Sequence, residues 1–103
     1  MVKGATTTFV MTLPAAAAIG SAAKVIFTLR QDEIKLEKTR SALDIIAADN
    51  EVRAHLSQQE TLAFRVGTAK LQLNWLYANG ERGNSKIEDV TVEDNLHPEV
   101  MEL

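Results

Sequence analysis

The side chains in this sequence that could do chemistry are two histidines and a few acidic residues, since cysteine is absent. A zinc site or a general acid–base pair needs such groups at spacings that bring them to one point. His55 lies on the outward side of an alternating run, and His97 directly precedes Pro98. The sequence has no two histidines four residues apart, no Gly-rich phosphate loop and no nucleophile elbow. This pattern indicates a protein that is not an enzyme and has no catalytic residue, metal site or cofactor.

Three pairs of adjacent acidic residues could bind calcium loosely, but none fits the ligand spacing of an EF-hand loop. We expect them to be solvated charges in turns and at strand edges. Two carboxylates could also hydrolyse a glycosidic bond, yet five aromatic residues in all leave little material for a sugar-binding cleft. The three pairs are Asp32-Glu33, Glu88-Asp89 and Glu93-Asp94.

The longest element that could position these groups is a predicted hairpin over residues 67–92. In its first half, apolar residues recur at every second position, which is the pattern of a half-buried strand. Asn79-Gly80 suits a tight turn, Gly83-Asn84 is a second predicted break, and another alternating run spans residues 87–92. We predict that Trp75 belongs to the core, because it shares a face with the other apolar residues of the run. Those residues are Ala69, Leu71, Leu73 and Tyr77.

Shorter alternating runs predict further strands at residues 5–13, 23–30, 34–40 and 52–57, with a polar turn at 31–33. Each run places apolar side chains on one side and polar side chains on the other. The run at 34–40 is rich in charge, which suits the edge of a sheet.

Residues 41–48 fit either a strand or a helical turn, because branched side chains are followed by two alanines. We choose two strands joined by a turn at 48–51. Ser57 and Glu60 fit a capping box, which predicts a single helical turn whose Leu62 and Phe64 pack inward.

The spacing of these runs predicts an all-β fold, namely an immunoglobulin-like antiparallel β-sandwich of about seven strands with one short helical turn. At 103 residues the chain has the size of one domain. We assign residues 1–94 to the sandwich and residues 95–103 to an acidic C-terminal extension.

The charge of the chain is unevenly distributed. The net charge is −3, which makes nucleic acid an unsuitable partner. Residues 88–103 contain six acidic residues and no Lys or Arg, whereas residues 1–87 contain all 11 basic residues. The acidic end is either a solvated tail or a segment that docks on a basic patch of a neighbouring subunit. No run of apolar residues is long enough to span a membrane.

Three stretches of the chain resemble a known family. They are the segment from Leu56 to Gly67 (LSQQETLAFRVG) with the strand through Trp75, the opening ATTTFVMTLP of residues 5–14, and the polar turn at Asp49-Asn50. Together they resemble small prophage-encoded proteins found near tail genes in Gram-positive bacteria, which are similar to the N-terminal sandwich domain of phage upper-baseplate proteins. The resemblance covers about residues 4–93. It implies a non-enzymatic virion or tail-assembly component and no catalytic residues.

From these observations we predict a non-enzymatic structural protein of the tail or baseplate region of a phage or prophage, acting through protein–protein contacts. The expected partners are other phage tail proteins and a second copy of the chain, with neither nucleic acid nor a membrane among them. The expected location is the virion, with the host cytoplasm during assembly. The alternative is a carbohydrate-binding or adhesion-type immunoglobulin-like module. The candidate interfaces are the Ala-rich loop 15–22 and the acidic extension.

Overall fold

The alternating runs form strands that assemble into two antiparallel sheets. A computed structural model describes all 103 residues of the chain. The strands are β1 (Thr7–Thr12), β2 (Lys24–Gln31), β3 (Ile34–Thr39), β4 (Asp44–Ile46), β5 (Glu51–Leu56), β6 (Gly67–Leu76), β7 (Arg82–Asn84) and β8 (Glu88–Val92). The small sheet has the strand order β1-β5-β4, and the large sheet has the order β3-β2-β6. Both β7 and β8 pair with the second edge of β6.

The two sheets pack face to face over one apolar core, because every second residue of the strands points inward. Phe27 and Leu73 enter the core from the large sheet, and Val52 enters it from the small sheet. The loop after β1 contributes Ile19, and the segment before β6 contributes Phe64. Each of these five side chains is at most 1% exposed. The architecture is therefore an all-β sandwich.

A single helical turn, α1 (Gln58–Leu62), carries the chain from the small sheet to the large one. The amide of Glu60 donates to the Ser57 hydroxyl at 3.2 Å, and the amide of Ser57 donates to the Glu60 carboxylate at 2.9 Å. This confirms the predicted capping box. Behind it, the buried hydroxyl of Thr61 accepts from the amide of Gly4 at 3.0 Å. The helical turn therefore also anchors the N-terminal segment.

The segment between α1 and β6 is fixed by a buried glutamine. The Gln31 side chain donates to the Arg65 carbonyl and accepts from the Arg65 amide, both at 2.7 Å. Its amide group therefore bonds the backbone of this segment as a neighbouring strand would. The sequence predicted Gln31 in a turn, but it is the last residue of β2 and only 6% exposed. The turn itself consists of Asp32 and Glu33.

Most predicted elements are confirmed, with boundaries shifted by one or two residues. Residues 41–48 contain β4 between two short 3₁₀ turns at Arg40–Ala42 and Ala47–Asp49. The two-strand interpretation of this region is therefore correct. Loop 15–22 contains two further 3₁₀ turns, Ala15–Ala17 and Ile19–Ser21. No helix or strand follows residue 93.

The predicted break at Gly83-Asn84 is wrong, because both residues lie within β7. Gly83 pairs with Trp75, and a Cβ atom added to it would lie 2.6 Å from Cζ2 of the indole and closer still to Nε1. The glycine thus marks a close approach of the ring to the backbone. The turn at Asn79-Gly80 is confirmed, with φ = +89° at Gly80.

The second half of the hairpin is split, which gives eight strands where about seven were predicted. Ser85 causes the split. Its amide donates to the Leu73 carbonyl at 2.9 Å, and its hydroxyl accepts from the Leu73 amide at 2.8 Å. Ser85 thereby bonds both the amide and the carbonyl of Leu73, as a paired strand would. The chain bulges here before β8 begins.

Candidate functional site

His55 lies at the centre of a row of polar side chains on the outer face of the small sheet. Its Nδ1 atom is 2.8 Å from the Thr8 hydroxyl, and its Nε2 atom is 2.6 Å from a carboxylate oxygen of Asp44. The sheet register produces this row, because Thr8 on β1 is directly opposite His55 on β5. Asp44 on β4 is opposite Arg53, one diagonal step away. A hydroxyl, an imidazole and a carboxylate in this order form the chain that activates the nucleophile in many hydrolases.

The surroundings of this row differ from those of a hydrolytic site. The side chains of His55 and Asp44 are 56% and 64% exposed, so water surrounds the groups. We interpret the row as cross-strand hydrogen bonds on a solvated sheet face. The outward position predicted for His55 is confirmed.

The other candidate groups are dispersed. His97 is exposed in the C-terminal extension. The Arg65 guanidinium contacts both Asp32 and Glu33 at 3.1 Å. The backbone amide of Glu33 and then Arg65 lower the pKa of the Glu33 carboxyl, and Glu33 in turn raises the pKa of Arg65. No three His, Asp or Glu side chains come together in a group that could hold a metal ion.

A half-buried ion pair closes the space between β3 and α1. Lys38 points inward from β3, opposite Phe27 on β2, and its ammonium contacts the two carboxylate oxygens of Glu60 at 2.9 and 3.2 Å. Burial raises the pKa of the Glu60 carboxyl, but the amide of Ser57 and the Lys38 charge together outweigh burial, so the pKa is lowered. An inward lysine is thus compatible with the core edge because the capping box supplies its partner.

The outer face of the large sheet carries five of the 11 basic residues of the chain. We call this surface the basic face. Two of its cations are paired, Lys35 with Glu37 and Lys70 with Asp89. The others form no ion pair, and five cations against two acids give the face an excess of three positive charges. The cations are Lys24, Arg30, Lys35, Lys70 and Arg82.

Shallow grooves cross the basic face. One, of about 290 Å³, runs past Arg30 and Lys70, with Ile87 at its rim. Another, of about 190 Å³, lies between Lys24 and Arg82. The floor of these grooves consists of polar side chains of β2 and β6, together with the half-buried Ile26 and Leu76. The face therefore offers positive charge beside small apolar areas.

The Ala-rich loop 15–22 is hydrogen-bonded to the end of the sandwich. The Tyr77 hydroxyl donates to the Ala17 carbonyl and accepts from the indole of Trp75. The Arg40 guanidinium donates to the carbonyls of Ala22 and Gly20 at 2.7 and 3.3 Å. The loop leaves mainly methyl groups exposed, on Ala15, Ala16 and Ala18.

The acidic tail, which we define as residues 93–103, is held by the backbone of Glu93 and at two points beyond it. The amide of Glu93 donates to the Met1 carbonyl at 2.8 Å, and the Glu93 carbonyl accepts from the Lys3 amide at 3.0 Å. The Asn95 side chain donates to the Lys3 carbonyl at 2.9 Å. Gln58 on α1 accepts from the Met101 amide at 2.8 Å and donates to the Met101 carbonyl at 3.1 Å. The predicted extension thus lies against its own chain through backbone bonds. The position of Gln58 beside this segment had no signal in the sequence.

No known protein-family model matches the chain, and no curated protein sequence matches it as a relative. None of the helical segments is long and apolar enough to cross a membrane.

Proposed function

We propose that this chain is a non-enzymatic structural protein of the tail or baseplate region of a phage or prophage, located in the virion and acting through protein–protein contacts. Two considerations support the proposal. The first is the resemblance over residues 4–93, which includes the capping box and the Thr-rich first strand. The second, which carries most of the weight, is an open and unprotected sheet edge.

The open edge is that of β1. This strand pairs with β5 on one side only, and no other backbone group bonds residues 7–12. Its sequence, TTFVMT, contains no charge and no proline, and Val10 is 55% exposed. Charged residues and prolines usually protect edge strands against pairing with other chains. The edge strand β3 follows this rule, since Lys35, Glu37 and Lys38 lie on it.

An edge without charge is suited to strand addition. An extended segment of a partner protein can continue the small sheet, because main-chain hydrogen bonds supply affinity and side chains supply specificity. A pairing of this length is weak alone, but the symmetry of a phage tail repeats it many times. The partner that we propose is therefore another tail protein, bound as an added strand beside β1.

The strand order supports an immunoglobulin-like assignment within this proposal. In immunoglobulin domains one sheet has the order A-B-E-D and the other contains C, F and G, with C′ added beside C in variable-type domains. The order β1-β5-β4 corresponds to B-E-D, and β3-β2-β6-β8 corresponds to C′-C-F-G. Strand A would lie beside β1, which is the edge left open here. An added strand from a partner would therefore complete the first sheet.

The alternative function, a carbohydrate-binding module, agrees less well with the surface of the chain. Such modules stack sugar rings on exposed aromatic side chains. Trp75 is 8% exposed, and the hydroxyl of the half-buried Tyr77 is bonded to the loop 15–22. Binding on a glycan array would favour that alternative over ours.

The experiment is mass spectrometry of particles purified after induction of the prophage in the source strain. We expect the protein at a fixed stoichiometry in the particles. Val10→Lys should lower incorporation at least tenfold, whereas Val66→Lys should not, because Val66 is equally exposed (58%) but lies outside the sheets. Absence of the wild-type protein from particles, while it is present in the lysate, would refute the proposed function. Normal incorporation of Val10→Lys would refute the β1 contact.

A further inference from the structure

The acidic tail contains more of the exposed large apolar side chains than the rest of the protein. Seven large apolar side chains of the protein are exposed, and four of them lie in this tail. Leu96 and Leu103 are fully exposed, and Met101 is 69% exposed although its backbone is bonded to Gln58. Val100 is the fourth. A segment whose backbone is held while its apolar side chains remain in water is suited to contact with another molecule.

Acidic residues alternate with these apolar side chains. Residues 93–103 contain four acids and no Lys or Arg. The tail therefore combines negative charge with exposed apolar groups. None of its hydrogen bonds reaches the basic face, since its partners are Met1, Lys3, Gln58 and its own residues.

The basic face has the complementary composition. Lys24 and Arg30 form no ion pair, and the face has an excess of three positive charges. Beside these cations lie the half-buried Ile26 and Leu76 and the 61% exposed Ile87. Charge and apolar area thus match between two surfaces of the same chain that do not contact one another. Complementary surfaces of this kind steer association and fix its orientation.

We propose that the acidic tail of one copy binds the basic face of a second copy. The tail acids lie beside the unpaired cations, and the tail leucines cover Ile87 and the grooves. This deepens the proposed function and rests on it for its biological setting, because it makes a second copy of the chain one of the structural partners. The binding itself is a property of the purified protein.

The test is a charge swap measured by sedimentation equilibrium of the full chain. One variant, Glu99→Lys with Glu102→Lys, reverses the charge of residues 99–103 at the end of the tail, and another, Lys24→Glu with Arg30→Glu, reverses the face. Either variant alone should associate roughly 10- to 30-fold more weakly than the wild type, because attractive surface pairs become repulsive. An equimolar mixture should recover association, since the end of each tail then meets an oppositely charged face.

The matched control is Asp49→Lys with Glu81→Lys. Both residues are exposed in turns outside the two surfaces, and the net charge changes by the same amount as in the tail variant. The control should associate like the wild type, and 0.5 M salt should weaken wild-type association. Circular dichroism checks that each variant is folded.

Several outcomes would overturn the proposal. They are a wild-type chain that stays monomeric at all concentrations, a mixture that fails to associate, and a control that behaves like the tail variant. The last two would exclude specific pairing of tail and face. If the mixture fails while the protein is present in particles, the proposed function stands and this inference falls. If the mixture associates while particles lack the protein, this inference stands and the proposed function falls.

Discussion

Gly83→Ala should destabilise the protein through one contact, that with the indole of Trp75. The new Cβ would lie 2.6 Å from Cζ2 and closer to two other ring atoms, which is tighter than real Cβ atoms tolerate. The ring must therefore move, and it must weaken its hydrogen bond to the Tyr77 hydroxyl, now 3.1 Å long. Overpacking costs about 1–3 kcal/mol, and a lost hydrogen bond costs about 0.5–1.5 kcal/mol. Replacing glycine regains about 0.4–1 kcal/mol.

The net expectation is a loss of about 0.5–4 kcal/mol, centred near 2 kcal/mol, and a loss at that centre lowers the melting temperature by roughly 8–16 °C for a domain of this size. The assay is urea unfolding followed by circular dichroism, carried out in the wild-type background and in a Trp75→Leu background. Tryptophan fluorescence does not serve as the probe, because the second background lacks the only tryptophan. In a Trp75→Leu background the clash disappears, so Gly83→Ala should then cost less than about 0.5 kcal/mol.

Gly80→Ala is the control, because Gly80 has φ = +89° and nothing near its would-be Cβ. It should cost the same in both backgrounds, since its penalty is backbone strain. An equal loss of stability on Gly83→Ala in the two backgrounds would refute this reasoning. Glycine would then be required at position 83 by the backbone conformation and not by the indole ring.

Three further substitutions test the polar contacts. Glu60→Gln keeps the capping box but leaves Lys38 without its counter-charge, so it should cost about 1–3 kcal/mol at pH 7. Because the pKa of Glu60 is lowered in the folded state, its contribution is complete above about pH 4.3 and is lost as pH falls through the folded pKa. The difference between wild type and variant in chemical denaturation should therefore shrink in acid, and a constant difference would contradict this. Gln31→Leu should cost about 2–4 kcal/mol in the same assay, since it leaves both backbone groups of Arg65 unpaired, whereas an unchanged midpoint would mean that water replaces the amide. Thr61→Val should cost about 1–2 kcal/mol and speed hydrogen exchange in residues 1–5, and unchanged exchange there would show that the hydroxyl does not anchor the segment.

Features formed by contacts between residues close in sequence were predictable. Features that depend on the register of strand pairing were not. The capping box of Ser57 and Glu60 closes within one helical turn, so its spacing alone identifies it. In the sequence, a glycine such as Gly83 looks the same whether it lies in a turn or beneath a tryptophan ring. Only the pairing of Gly83 with Trp75 distinguishes the two cases.

The His55 row shows the same limit at a candidate site. Alternation placed His55 on the outer face, but Thr8 and Asp44 reach it from strands 47 and 11 residues away. A shift of one residue in either pairing would turn Thr8 or Asp44 to the other face. The charges of residues 34–40 likewise predicted an edge strand, but they did not indicate that Lys38 points inward, opposite Phe27. Lys38 is stable there because Glu60 lies opposite it on a different element.

The symmetry of the proposed tail-to-face contact decides what the chain can build. If two copies exchange their acidic tails reciprocally, the contact is closed, and association stops at twice the mass of the chain. If each tail binds the face of the next copy, the contact is heterologous, and the result is a ring or an open array. In both cases the basic face lies on the large sheet and β1 on the edge of the small one, so the open edge stays free for another protein. The limiting mass at high concentration therefore distinguishes a paired connector from a repeating one, and Val10→Lys should leave that mass unchanged. A dimer whose formation requires Val10 would contradict this separation and would indicate that copies pair through β1 itself.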